Sequence, residues 1–199
     1  MGVLLLVGGL AMLGYVGWQL YGTNYVSRQQ QTEAVEEVQQ RWEQQTTVTA
    51  DRAADDATPK DGATALIRIP RFGADYVMPV FEGTSEEVLA KGYGHFDHAA
   101  GPGEKGNYAL AAHRVTHGEP LRDMPSLEPG DEVVVETGRW VYTYVLDTPG
   151  DGLTVPFTGA WVLADLPRNP EAGGVQPPDR APRAATRHAD HLLRALPHR

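Results

Sequence analysis

The pattern of apolar and polar residues divides the chain into an apolar N-terminal stretch, a polar segment and a β-rich remainder. Residues 3–21 carry no charged side chain, and as a helix they would span roughly 28 Å, close to the ~30 Å hydrocarbon core of a bilayer. Aromatic residues cluster toward the end of this stretch, as in an interfacial belt: Tyr15, Trp18, Tyr21 and Tyr25. We therefore expect residues 1–26 to form a single-pass transmembrane helix, with a cleaved signal peptide as the alternative.

The next segment is polar. Residues 27–45 are mostly good helix formers, with Val35, Val38 and Trp42 at helical spacing. A membrane-proximal helix, a short coiled coil and a plain spacer all fit this pattern. Residues 46–62 are rich in Thr, Ala and Asp without an apolar period, which is typical of a flexible linker. We expect residues 27–63 to be a polar linker, partly helical and partly flexible.

From residue 64 onward the pattern predicts short strands. Runs of β-branched, aromatic and small residues, bounded by turn residues, predict strands at 65–70, 76–80, 107–112, 132–136 and 140–146, with more β structure at 154–156 and 161–163. One helix interrupts them, with Thr84 as its cap, Glu87 as the capping-box partner and Gly92 at its end. Residues 92–99 read as a loop, and 121–127 as one helical turn. We expect residues 64–178 to fold as a mainly β domain, a closed or nearly closed barrel.

His113 is the candidate functional residue. Alternation with a period of two places it on the same strand face as Asn107, Ala109 and Ala111, at the strand end. Its neighbours on that face are small, which predicts a groove with an imidazole at its rim. A structural histidine is the alternative.

His95 and His98 flank Asp97 and must be considered as metal ligands. No third ligand is specified nearby, so we expect neither a metal nor another cofactor. A metallohydrolase built on His95, His98 and His113 would require bound zinc.

Charge and cysteine content exclude some functions. The formal net charge is -9, which argues against nucleic acid as a partner, because binding phosphates needs a basic face. The chain contains no cysteine, which excludes disulfides, thiolate metal sites and a cysteine nucleophile in the chain as written.

Short motifs occur in a fixed order along the chain: Ile69-Pro70-x-x-Gly73, Gly92-x-Gly94-His95, Pro102-Gly103-x-x-Gly106-Asn107, Ala112-His113-Arg114 and Leu127-x-x-Gly130-Asp131. This ordered set resembles sortases, and with the apolar N-terminus and residues 161–163 the chain looks most like a class E sortase of high-GC Gram-positive bacteria, the actinobacteria.

The resemblance implies a cysteine transpeptidase on an eight-stranded β-barrel, anchored in the cell membrane with its domain outside. Such an enzyme cleaves a C-terminal sorting signal between Thr and Gly, holds the protein as a thioacyl intermediate and passes it to a cell-wall amine. In that mechanism a cysteine thiolate attacks, a histidine protonates the leaving amine and an arginine supports the oxyanion. His113 matches the family's catalytic histidine.

The C-terminal tail departs from the family pattern. Sortases carry a Thr-Leu-x-Thr-Cys strand followed by the arginine, and neither occurs here. Residues 180–199 instead hold five arginines, three histidines and one acidic residue, in a chain with 17 basic and 26 acidic residues. Arg114 does not replace the arginine, because its strand parity is opposite to that of His113.

The abrupt change in composition suggests a change of reading frame between about Gln176 and Thr186. A forward shift by one nucleotide permits residues 186–199 to be read as Leu-Val-Thr-Leu-Thr-Thr-Cys and onward, with the cysteine codon spanning Leu192 and Leu193. We therefore expect residues 179–199 to be an aberrant, disordered tail, the barrel to lack its last strands, and the chain to be an inactive sortase-family protein. A non-catalytic, membrane-anchored peptide-binding or scaffold protein is the alternative.

Overall fold

Two helices begin the chain. The structure, a computed structural model, describes residues 2–48, 62–156, 158–164, 167–168, 170 and 184–187. Helix α1 (Gly2–Gly17) and helix α2 (Thr23–Val48) are joined by a π-helical turn, Trp18–Gly22. In these described residues, no helix has both the length and the apolar character needed to cross a membrane. The predicted transmembrane helix is therefore corrected to a 16-residue α-helix that ends at Gly17, followed by a helix rich in Gln and Glu.

Helix α2 packs against the β domain. Its buried residues Val35, Val38 and Trp42 form one cluster with Ala63, Leu66 and Phe81 of the domain. The predicted helical spacing is thus confirmed, and the apolar stripe has a partner within the same chain, unlike that of a plain spacer. Residues 49–61, most of the predicted flexible linker, lie outside the described residues.

Seven strands form one curled sheet, a half-barrel, which confirms the mainly β architecture in its coarse form. The strands are β1 (Ala65–Arg68), β2 (Met78–Glu82), β3 (Tyr93–His95), β4 (Leu110–Ala111), β5 (Glu132–Glu136), β6 (Trp140–Val145) and β7 (Ala184–Arg187). Their order in the sheet is β4-β3-β2-β1-β5-β6-β7, and every neighbouring pair is antiparallel except β2 and β3. The short helix α3 (Glu86–Lys91) makes the crossover between those two parallel strands.

The central strands are covered on both faces, which explains their continuous apolar sequence. On β1, Ala65 and Ile67 belong to the barrel core, whereas Leu66 belongs to the cluster with α2. On β2, Val80 faces the barrel core and Phe81 faces α2. Because side chains alternate along a strand, one face of the sheet lines the barrel and the other supports the helix.

Several predicted elements differ from those observed. Helix α3 is capped by Ser85, whose side chain accepts a hydrogen bond from the Val88 N–H at 3.3 Å, and not by Thr84; Gly92 ends the helix as predicted. Residues 93–95, predicted as loop, form β3, and the predicted strand 107–112 is paired only at Leu110 and Ala111.

Other differences lie in the second half of the domain. The predicted helical turn within 121–127 is a 3-10 helix, Met124–Ser126. Residues 154–156 form no strand, and the aromatic and β-branched run predicted as a strand at 161–163 lies in a 3-10 helix, Ala160–Leu163.

The tail contributes one strand, contrary to the prediction of a disordered tail without β structure. Ala184–Arg187 pairs antiparallel with β6, with Ala185 opposite Tyr142. Backbone N–H and C=O groups make this ladder, so it does not need the apolar alternation from which strands are predicted. The other residues of 179–199 lie outside the described part of the chain.

Candidate functional site

His113 lies two residues beyond β4, an edge strand. In the described sheet β4 pairs on one side only, with Gly94 opposite Ala111 and His95 opposite Leu110. The structure therefore places the histidine at the end of an edge strand. The strand itself is shorter than the sequence predicted.

The chain returns immediately after the histidine in a closed loop, residues 113–121, hereafter the His113 loop. The Leu121 N–H donates to the carbonyl of His113 at 3.0 Å and closes it. Tyr76 donates its hydroxyl to the Pro120 carbonyl at 2.7 Å, and the Tyr93 hydroxyl lies 2.9 Å from that of Tyr76.

Both tyrosines serve as neutral hydrogen-bonding groups. Burial raises the pKa of Tyr93 to about 12, and burial together with the neighbouring Tyr93 raises the pKa of Tyr76. Because each hydroxyl keeps its proton, Tyr93 can donate to Tyr76 while Tyr76 donates to the Pro120 carbonyl. This chain of two bonds ties the loop to the barrel core.

The two ring nitrogens of His113 have different surroundings. Nδ1 lies 3.2 Å from the hydroxyl oxygen of Thr116, whereas Nε2 is buried and has no hydrogen-bond partner among the described residues. The ring of His117 lies alongside, with 4.4 Å between ring centroids and 31° between planes. An unpaired buried nitrogen is costly for stability, and such groups often have a functional use.

Burial lowers the pKa of His113, and the neighbouring His117 lowers it further, while Glu86 acts in the opposite direction. The ring is therefore held toward its neutral form. A neutral imidazole with a free Nε2 can take a proton from one group and give it to another, which is what acid–base catalysis requires.

The other two candidate histidines, His95 and His98, do not join His113 in a shared site. Nδ1 of His95 lies 2.9 Å from Glu82 Oε2, and its Nε2 lies 3.1 Å from the Ala100 carbonyl oxygen, so both nitrogens are engaged. His98 is exposed, with φ of 70°. In the part of the chain that is described, no three His, Cys, Asp or Glu side chains group in a way that could hold a metal ion. His95 instead fixes the loop that follows β3.

Arginines of the domain are engaged in ion pairs, among them Arg122 with Glu119 at 3.0 Å. Arg68 pairs with Glu136 at 2.8 Å, and Arg71 pairs with Asp131 at 2.8 Å, which lowers the pKa of that carboxyl. Arg114, next to His113, is exposed.

Reasoning from the sequence missed four residues around His113. Thr116 and His117 contact its ring, and Asn24 and Gln31 of α2 contact the same loop. Two polar residues three and four positions after the histidine are a weak local signal. The contacts of α2 join residues 86 to 95 positions apart, so nothing in the local pattern could have indicated them.

Comparison with known proteins identifies relatives. The Sortase domain family matches residues 67–152. Sortase SrtE1 of Streptomyces coelicolor is 34% identical over 186 residues, which are 90% of this chain and 49% of that protein. The chain thus spans about half the length of this curated relative.

Two solved structures are similar as well. Sortase E from Streptomyces avermitilis is 44% identical over 53% of this chain and 68% of that one, with a TM-score of 0.51. Sortase E1 from Streptomyces coelicolor with a tripeptide in the active site is 29% identical over 64% of this chain and 92% of that one, with a TM-score of 0.50.

Proposed function

We propose that this chain, which belongs to the sortase family, carries the histidine half of a class E transpeptidase site without the nucleophile that completes it. The observation that supports this proposal is the setting of His113. It lies at the end of an edge strand, in a closed loop, with a buried Nε2 that no described residue engages.

In the transpeptidation reaction, Nε2 of His113 would transfer protons. A cysteine thiolate attacks the Thr carbonyl carbon of the sorting signal, and the Thr–Gly C–N bond breaks. The neutral imidazole of His113 takes the thiol proton as the thiolate forms, and the resulting imidazolium gives that proton to the leaving amine. An acceptor amine then displaces the thiolate from the thioester and gives its proton to the neutral His113 ring. Because the chain as written contains no cysteine, it cannot form the thioester, and we expect it not to catalyse transpeptidation.

The proposed partners are a sorting-signal peptide and an amine of the cell wall. The similar structure of Sortase E1 from Streptomyces coelicolor holds a tripeptide in its active site. This likeness supports a peptide ligand for the present chain, because the strand and loop that carry His113 are present.

The proposed location is the outer face of the cell membrane, with α1 as the contact. Leu4, Leu5 and Leu13 are each at least 70% exposed, an apolar surface that lipid would cover. Cell fractionation tests this location. We expect the full chain in the membrane fraction, and we expect a chain without residues 2–17 to be lost from that fraction.

The proposal is tested by comparing the chain as written with a frame-restored chain. The frame-restored chain is made by shifting the reading frame by one nucleotide between codons 176 and 186. Each is incubated with a fluorogenic peptide carrying a Leu-Ala-x-Thr-Gly signal and with an acceptor amine. We expect background cleavage from the chain as written, and a thioester detectable by mass spectrometry from the frame-restored chain.

Two results would contradict the proposal. The first is cleavage above background by the chain as written, because that would need no thiol. The second is the absence of a TGC or TGT triplet across codons 192 and 193. Peptide binding without turnover by the chain as written would support the non-catalytic binding protein as its present role.

A further inference from the structure

The His113 loop contains three consecutive residues in the left-handed region of backbone space. His117, Gly118 and Glu119 have φ values of 52°, 80° and 57°. Glycine adopts this conformation readily, but a histidine and a glutamate do so at a cost. Such a run persists only when surrounding groups hold it in place.

Helix α2 supplies those groups. Gln31 donates from Nε2 to the His117 carbonyl at 2.9 Å, and the Gly118 N–H donates to Asn24 Oδ1 at 3.0 Å. Asn24 also donates from Nδ2 to Glu119 Oε1 at 3.2 Å. Each of the three left-handed residues is thus bound by this one helix.

The contact is close and largely buried. Gln31 is 3% exposed, and it packs so near Gly118 that any Cβ at that position would overlap its side chain. Arg28, four positions after Asn24, adds an ion pair with Glu119 at 3.5 Å. Asn24, Arg28 and Gln31 lie on one face of the helix because they are spaced by four and three residues.

The held loop is connected to the His113 ring through one hydroxyl. Thr116 Oγ1 lies 3.2 Å from Nδ1 of His113 and 3.1 Å from Nδ1 of His117. A threonine hydroxyl has one proton and two lone pairs, so it donates to at most one of these nitrogens, and the other must carry a proton and donate to it. The tautomers of the two rings are therefore coupled, and the position of His117 influences which nitrogen of His113 carries the proton.

We propose that Asn24 and Gln31 are positioning residues that hold the orientation and tautomer of the His113 ring by fixing residues 117–119. The functional meaning of this role rests on the proposed function, whereas the geometric claim can be tested without turnover. Helix α2 then forms part of the site in addition to packing on the sheet.

The test is nuclear magnetic resonance of the ¹⁵N-labelled full chain in detergent micelles. Long-range ¹H–¹⁵N correlations of the imidazole ring report which nitrogen is protonated. We expect a single tautomer of His113 in the parent chain. In Gln31→Ala and in Asn24→Ala we expect the two ring nitrogen shifts of His113 to move toward each other, as in a mixture of tautomers.

The matched control is Gln29→Ala. Gln29 lies on the same helix, is exposed, and donates to the Tyr25 hydroxyl at 3.1 Å, away from the loop. This variant should leave the His113 shifts unchanged. Thr116→Val removes the hydroxyl that lies between the rings of His113 and His117. This variant should reproduce the effect of Gln31→Ala on the His113 ring shifts.

Ring shifts of His113 identical to the parent's, in Gln31→Ala or Asn24→Ala chains whose backbone amide spectra remain native, would overturn the proposal. Unchanged shifts in Thr116→Val would do so too. If Gln31→Ala does not fold, Asn24→Ala decides, because Asn24 lies at the half-buried end of the contact. The two proposals can fail separately. If the ¹⁵N shifts of the His113 ring respond as expected but the frame-restored chain shows no transpeptidation, the proposed function is contradicted and the positioning role is not.

Discussion

At the scale of single residues, His113 combines three properties that suit proton transfer. Its Nε2 is buried and unpaired among the described residues, its Nδ1 is held by Thr116, and burial and His117 lower its pKa. A histidine kept only for packing would be expected to have both nitrogens engaged, as His95 has. The contrast between these two histidines is the strongest residue-level argument for a functional role of His113.

The lowered pKa of His113 predicts how stability depends on pH. The unfolded chain binds a proton at the ordinary histidine value of about 6.5, whereas the folded chain binds it only at lower pH. Between these values the unfolded state holds more protons, so stability falls as pH falls, by at most about 1.4 kcal/mol per pH unit for one group. At pH values well above 6.5 both states are neutral and His113 contributes no pH dependence.

The measurement is urea unfolding of the parent chain and of His113→Gln at pH 7.5, 6.5 and 5.5. We expect the parent chain to lose more stability than His113→Gln over this range. His98→Gln, which changes an exposed histidine, should keep the parent's dependence. Equal slopes for the parent chain and His113→Gln would show that the folded state does not disfavour the imidazolium.

At the scale of elements, α2 links the N-terminal region to the sheet and to the His113 loop. Val38 is 1% exposed and packs in the cluster that contains Leu66 and Phe81. The same helix contacts residues 117–119 through Asn24 and Gln31. Its removal should therefore affect the fold as well as the loop.

Val38→Ala should lower the free energy of unfolding by about 1.5–3 kcal/mol, because it removes buried apolar surface and leaves a cavity. Val26→Ala is the matched control, since Val26 lies on the same helix at 42% exposure and should change stability by less than about 0.5 kcal/mol. Chemical denaturation of the two variants beside the parent chain measures both. A loss in Val38→Ala no larger than in Val26→Ala would mean that α2 does not pack on the domain in solution.

The correctly predicted elements are those whose apolar residues follow the periodicity of a strand or a helix. Strands β5 and β6 have β-branched and aromatic runs around a short turn, and the spacing of Val35, Val38 and Trp42 predicted helix α2. Strand β3 was missed because its glycine and histidine are typical of loops. Residues 161–163 were predicted as a strand from composition, but the chain turns there, and the Asn107 side chain donates to the Val162 carbonyl at 2.8 Å.

At the scale of the whole molecule, the described sheet ends at β4 on one side and at β7 on the other. The resemblance to sortases implies a further, cysteine-bearing strand. The open side of β4 offers the backbone groups with which such a strand could pair, next to His113. We expect the strand encoded in the shifted frame to occupy this side.

The local sequence and the packing of distant segments determine different parts of the molecule. The family could be predicted from ordered motifs, and the position of His113 at a strand end from alternation along the chain, because both signals are local in sequence. The catalytic role of His113 stays a prediction. The support of His113 by Asn24, Gln31, Thr116 and Tyr76 could not be predicted, because it depends on how distant segments pack. The single-pass span was predicted from apolar length, whereas the observed α-helix stops at Gly17.

The most direct test of the central claim is the activity of His113→Gln in the frame-restored chain. With a Leu-Ala-x-Thr-Gly peptide and an acceptor amine, kcat/KM should fall about 10²- to 10⁴-fold, the range typical of a lost acid–base group. His98→Gln in the same background should keep the parent's activity. A frame-restored His113→Gln chain with kcat/KM within about twofold of its parent would contradict the assignment of His113 as the catalytic acid.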